Sequence, residues 1–318
     1  MRRFVLALVP LAYSGCLPGD TRPVPAEVTV TTSSSSFTLS GLPADLTADG
    51  FEIDFERLLV SLGQADVGNV EGTGTCNEYS NPDYTRLYDF TQVNAPREVG
   101  LAFATGHCAF GFSMRFPNPT TPLDVGVTAD DATFMRTAGS DPVSMDGGIS
   151  VYVEGVGMRG DVVKHFAWPF RKRVGYSDCY VMDEASGSTQ RGLDLTSGEK
   201  TSVNLEVHAE ALFLDPLFMA HFEPFARADA NGDGEITLDE LWTVPLESIA
   251  DSGFKAPPNP PPPDPLDPTR KPGCFNADGI PIEIKTLGDY TYCELLPALV
   301  HFQGNGLCTT QVGRANND

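Results

Sequence analysis

Basic side chains are scarce in this chain of 318 residues: 21 Lys and Arg stand against 43 Asp and Glu, a formal net charge of −22. A surface so acidic repels phosphates and has few cations with which to release counterions, so no nucleic-acid partner is expected. No segment after the first sixteen residues is long and apolar enough to cross a bilayer as a helix. No C-x-x-C pair occurs, which argues against a zinc ribbon and against a thioredoxin-like redox site. G-x-S-x-G and H-E-x-x-H are also missing, so no reaction is legible. Tryptophan is rare, at 2 residues, but 19 Phe and 9 Tyr supply more buriable surface than a disordered chain carries. The length allows one large core or two ordinary ones.

Residues 1–16 read MRRFVLALVPLAYSGC, with Arg2 and Arg3 ahead of an apolar run from Phe4 to Tyr13. That run is too short for a permanent span, so residues 1–15 are expected to be a secretory signal peptide. Ser14-Gly15 before Cys16 resembles the lipobox of bacterial lipoproteins, with Tyr13 where that motif usually has Leu. The resemblance implies a lipidated Cys16, attachment to a membrane through that lipid, and a place in the bacterial cell envelope, at the outer membrane or in the periplasm. Residues 16–36, rich in Pro, Ser and Thr, are then expected to be a flexible tether. The other six cysteines, at 76, 108, 179, 274, 293 and 308, form an even set in an oxidising setting. Three disulfides follow, and spacing alone leaves 15 connectivities open. Cys76 and Cys108 both flank strand-like segments and are expected to pair, with at least one bridge among the last three.

From Phe37 to Leu214 the hydrophobic period is two. Phe51, Ile53 and Phe55 alternate with acids; Phe110, Phe112, Met114 and Phe116 form a second such run, and Val203, Leu205 and Val207 a third. Segments 84–90, 99–104, 149–157, 162–170 and 174–182 read likewise, with Gly, Pro, Asn and Asp clusters between them. So many strands without crossover helices predict a mainly β fold, an antiparallel β-sandwich over 37–214. At Asp215-Pro216 a helix start is expected, with Leu217, Phe218, Met219, Phe222 and Phe225 at helical spacing and Pro224 kinking or splitting it. Residues 256–273 are a proline-rich linker. The tail 274–318, with two strand-like pieces (Ile280 to Ile284 and Tyr290 to Leu295), is too short for its own core and is expected to be stapled by disulfides or docked on the main domain.

Residues 229–240 read D-A-N-G-D-G-E-I-T-L-D-E and resemble the twelve-residue EF-hand calcium loop position by position. The resemblance implies Ca2+ held by side-chain oxygens of Asp229, Asn231 and Asp233, by the carbonyl of Glu235 and by a bidentate Glu240. Gly234 permits the sharp turn, and Thr237 stands where a water usually mediates. Thr237 and Glu240 also have capping-box spacing for the exiting helix. Pro224 and Pro245 keep the helical segment over 215–255 short, so calcium is expected to be structural rather than a signal. Asp45, Thr47, Asp49, Gly50 and Glu56 imitate the loop, but Glu52 and the alternating run after it point to a turn entering a strand. Asn276, Asp278 and Gly279 match only three positions and read as a hairpin turn.

Glu206, His208 and Glu210 share one face of an expected strand, a solvated acidic face or a transition-metal site with His221 or His165 as a further ligand. His107 beside Cys108 lacks a third catalytic group. Trp168 and the strand 110–116 are expected in the core. The layout resembles surface lipoproteins of predatory or soil bacteria, and copper-associated β-sandwich proteins linked to methanobactin, without a shared motif. The reading is a calcium-binding exported lipoprotein whose β domain is a binding or surface-interaction module rather than an enzyme. Its alternatives are a periplasmic copper-type binding protein and a secreted hydrolase with a structural calcium.

Overall fold

The computed structural model describes residues 24–69, 75–139, 147–183, 188–255, 273–274 and 282–312. The expected signal peptide, Cys16, the start of the tether, the linker up to residue 272 and the Asn276 turn lie outside the described residues. The strands are β1 (Ala26–Ser34), β2 (Glu52–Asn69), β3 (Asn77–Ser80), β4 (Thr85–Asp89), β5 (Arg97–Met114), β6 (Val151–Arg159), β7 (Val162–Phe170) and β8 (Val174–Asp183). There follow β9 (Ser188–Arg191), β10 (Leu193–Leu195), β11 (Lys200–Val207), β12 (Glu235–Ile236), β13 (Gly273–Cys274), β14 (Val300–Phe302) and β15 (Leu307–Val312).

The fold is mainly β, as expected, but the strands form one large mixed sheet. Its main path runs β12-β7-β6-β2-β5-β1-β11-β14, and it does not close. The reason is β5, whose first half pairs with β1 and β3 while its second half pairs with β2, β8 and β10. Pairing is therefore continuous, and two separate antiparallel sheets are not what it shows. Parallel contacts of β1 with β11, β12 with β7 and β13 with β15 complete the mixture.

Two expectations drawn from composition and periodicity are corrected. Residues 26–34, taken as tether, are β1, between β5 and β11: Ala26, Val28 and Val30 are fully buried while their polar neighbours face the other way. The piece from Tyr290 to Leu295 is helical, because Thr286 and Asp289 form a reciprocal capping box that starts a helix at Leu287. The tail is docked on the main domain and stapled by disulfides, as expected. Tyr290, Tyr292, Leu295, Leu299 and Phe302 lie in the same hydrophobic cluster as Val28 and Trp168, and that cluster runs from Ala26 to Val312.

All six described cysteines are paired: Cys76–Cys108 and a bridge among the last three, Cys274–Cys293, as expected, and also Cys179–Cys308. At the centre of the cluster the Phe213 ring meets Phe55, Phe166, Trp168, Phe222 and Phe225 at centroid distances of 5.1–6.1 Å. Such contacts each contribute about 0.5–1.5 kcal/mol beyond area burial. They tie the sheet to the segment that enters the 229–240 loop.

Candidate metal centre

The helix expected to begin at Asp215 is absent. Asp215 Oδ1 instead accepts from the backbone N–H groups of Leu217 (2.8 Å) and Met219 (3.0 Å), closing a turn in which Phe218 has φ +60°. Leu217, Phe218 and Met219 are exposed, and only Phe222 and Phe225 reach the core. The entering helix is one turn, α1 (Glu223–Ala226). Pro224 therefore sits in its first turn, where the missing N–H breaks no bond, and starts the helix rather than kinking it. Asp49 caps it from afar, its Oδ2 accepting from the N–H of Phe222 (2.7 Å) and of Glu223 (2.6 Å). The segment that imitated a second loop is thus a turn into β2, as expected, and serves the first loop's entry.

Within the loop, Asp229 Oδ1 accepts from Gly232 N (2.8 Å) and Asp233 N (3.2 Å), and its Oδ2 from Gly234 N (3.0 Å). Asn231 Oδ1 accepts from Asp233 N at 2.9 Å, and Asp233 Oδ1 from Glu235 N at 2.8 Å. Gly234 has φ +91°, the left-handed conformation that its position requires. The exiting helix, α2 (Leu238–Leu241), carries the expected capping box: Glu240 Oε2 accepts from Thr237 N and Thr237 Oγ1, both at 2.9 Å.

The loop is bonded to the sheet. His165 N donates to Gly234 O (2.8 Å), Glu235–Ile236 run parallel to His165–Phe166, and Trp168 Nε1 donates to Ile236 O (2.9 Å). Ile236, Leu238 and Leu241 are buried below. Gly157 explains how closely these parts approach, since a Cβ there would lie 2.2 Å from the Phe222 ring. Gly155-Val156-Gly157-Met158-Arg159-Gly160 has dinucleotide-type glycine spacing. It lies in β6 and the β6–β7 turn rather than at a strand-to-helix turn, so Gly155 and Gly157 serve packing while Gly160, with φ +60°, serves the turn.

Asp229 Oδ2 also accepts from the Lys164 ammonium of β7, and the carboxylate is completely enclosed. Lys164, and then the N–H groups of Gly234 and Gly232, hold the Asp229 carboxyl below the usual carboxylate range. The side-chain and carbonyl donors of Asp229, Asn231, Asp233, Glu235 and Glu240 are all oxygen, which suits a hard cation of calcium type. In the conformation seen, a tethered ammonium stands at Asp229 and a Glu240 oxygen is engaged in the cap. Accordingly, among the described residues no group of three or more His, Cys, Asp or Glu is arranged to hold a metal ion. Calcium would have to displace Lys164 and turn Glu240 inward. Lys164, Trp168 and Asp49 are the contributors that loop spacing alone did not indicate.

The other candidates separate. His208 lies just past β11, with Nδ1 2.9 Å from Glu210 Oε1 and Nε2 3.6 Å from Glu206 Oε2. The face is not solvated as expected, because Glu210 is buried under Ser35 and Thr38. His301, not His165 or His221, stacks on His208 with centroids 4.3 Å apart. His221 is instead buried beside Asp215, at 3.5 Å. His107 pairs with Asp194 at 2.7 Å, and Cys108 is consumed by its disulfide. Phe110, Phe112, Met114 and Trp168 are core residues, as expected, but β5 ends at Met114 and Phe116 is only half-buried, under Arg173.

No family model matches the chain, and neither a curated protein nor a solved structure is similar to it. Among the described residues no helix is long and apolar enough to cross a membrane.

Proposed function

We propose that the chain is an exported calcium-binding lipoprotein, anchored through Cys16, whose β domain is a binding or surface-interaction module. One calcium, held by Asp229, Asn231, Asp233, Glu235 and Glu240, fastens the short helical segment to the sheet edge. The observation that carries this reading is the enclosed Asp229 carboxylate with a cation already against it, in a loop whose backbone is hydrogen-bonded to β7. A cation closing that loop stabilises the contacts of Ile236 with Trp168 and of Phe225 with the core, which is a structural role. The division of β5 between two sets of partners supports a sandwich-like arrangement of the sheet's halves.

Calcium titration of the full chain by calorimetry is expected to show one site, lost in Glu240→Gln. Saturable copper or zinc binding that His208→Ala removes and Glu240→Gln retains, without calcium binding, would move the function to the His208–His301 pair. Partition of the chain into a detergent phase, lost in Cys16→Ser, tests the anchor. Hydrolysis of an ester or peptide by the purified chain would contradict the binding-module reading.

A further inference from the structure

A cleft of about 620 Å³ opens over strands β2, β5 and β8, away from the calcium loop on β7. That volume lies within the range of roughly 300–1,000 Å³ common for small-molecule sites. β5 runs through the middle, with Gly111 paired to Asp66 of β2 and Phe112 to Tyr176 of β8. Both outer strands are distorted at this level. The register of β2 slips between Gly63 and Asp66, and Gln64 takes φ +48°; on β8, Asp178 takes φ +49°. Only four non-glycine residues among those described have positive φ, and two of them line this cleft. Bulges and left-handed residues re-aim side chains, and they concentrate where a surface binds something.

The polar groups are held in two hydrogen-bonded sets. Arg115 Nε donates to Ser113 Oγ (3.1 Å), Ser113 Oγ to Gln64 Oε1 (3.3 Å), and Gln64 Nε2 to Asp83 Oδ1 (3.3 Å). Across from them Asn81 Nδ2 donates to Asp66 Oδ1 at 2.6 Å, while Asn81 Oδ1 accepts from Val67 N at 3.1 Å. Along β5 the floor is backbone at Gly111, where a Cβ would lie 2.7 Å from the Tyr176 carbonyl oxygen of β8.

The chemistry of these groups narrows the ligand. Three carboxylates, Asp66, Asp83 and Asp178, and one guanidinium, Arg115, line the cleft, and Asp66 and Asp83 already accept from neutral amides. The acids do not converge into a metal cluster, and the net charge of −22 disfavours anions. What remains is an alternation of fixed donors and acceptors along the cleft, which matches vicinal hydroxyls. We propose that the cleft binds a neutral polyhydroxylated ligand, a short saccharide, through the Asp66–Asn81 pair and the Arg115–Ser113–Gln64–Asp83 chain.

The test uses the full chain in a detergent without sugar groups, with EGTA present so that the calcium reading does not enter. Maltotriose, cellotriose and chitotriose are titrated by calorimetry and saturation-transfer NMR. Saturable binding of at least one is expected, weakened at least tenfold in Asn81→Ala and in Gln64→Gly. Glycine adopts the φ of residue 64 without strain, so Gln64→Gly is expected to keep or raise the melting temperature while losing the sugar, which a folding defect would not do. No saturable binding of any of the three, binding unchanged in both variants, or saturation by spermidine but not by the sugars would overturn the proposal.

Discussion

The Lys164 ammonium on β7 donates to the Asp229 carboxylate, the first position of the 229–240 loop, across 65 residues of sequence. This contact makes Lys164 an internal occupant of the place where a calcium-binding loop needs its ion. It keeps the enclosed carboxylate paired, and it would oppose a metal ion entering the proposed site.

If the proposed calcium site holds, Lys164→Met is expected to tighten calcium binding by about tenfold, the scale of one charge-assisted hydrogen bond. The same variant is less stable in EGTA, because Asp229 is left enclosed without its counter-charge. Calorimetry on both proteins checks the first effect and denaturant unfolding the second. Unchanged or weaker affinity would show that the contact does not compete with the ion.

Two partly buried groups give stability opposite pH dependences. Burial pushes the Glu294 carboxyl up to about 7, so its contribution is fully present below the ordinary value near 4.5 and is lost as pH rises through 7. Glu294→Gln is expected to be more stable than the parent above pH 7, by an amount of order 3 kcal/mol. Burial, reinforced by the neighbouring His208, pushes His301 down to about 4. A depressed histidine contributes fully above its ordinary value near 6.5, and that contribution is lost as pH falls toward 4. Unfolding of His301→Asn between pH 6.5 and 4 should show a shallower loss than the parent.

The disulfides differ in reach. Cys179–Cys308 closes 129 residues and joins β8 to β15, whereas Cys274–Cys293 closes 19. The chain-entropy account assigns them about 5 and about 3 kcal/mol respectively. Paired Cys→Ala variants, compared by urea midpoint, should rank in that order. The reverse ranking would mean that local packing rather than loop closure decides their worth.

The parts that were legible in the sequence are those encoded locally. Ligand spacing in 229–240 is a matter of twelve consecutive residues, the Thr237–Glu240 cap of four, and the alternation in β7 of nine. Cys76 and Cys108 were pairable because each flanks a strand-like run. β1 was missed because its Ser and Thr content resembles a linker, although Ala26, Val28 and Val30 keep a strand period. Tyr290 to Leu295 alternates like a strand, yet Thr286 and Asp289, just upstream, decide for a helix. Lys164 and His301 were illegible for one physical reason: each acts on a partner brought near only by folding, and no local pattern marks them; Asp49 stood out locally, but its capping of Phe222 and Glu223 did not.

Thermal unfolding of the full chain in 1 mM calcium and in EGTA, beside Glu240→Gln, is the most direct measurement. At an affinity of about 0.1 mM, calcium at about 1 mM stabilises the fold by roughly 1.4 kcal/mol. The melting temperature should rise with calcium by a few degrees in the parent and not at all in Glu240→Gln. A parent whose melting temperature is the same in calcium and in EGTA would contradict the proposed structural calcium site.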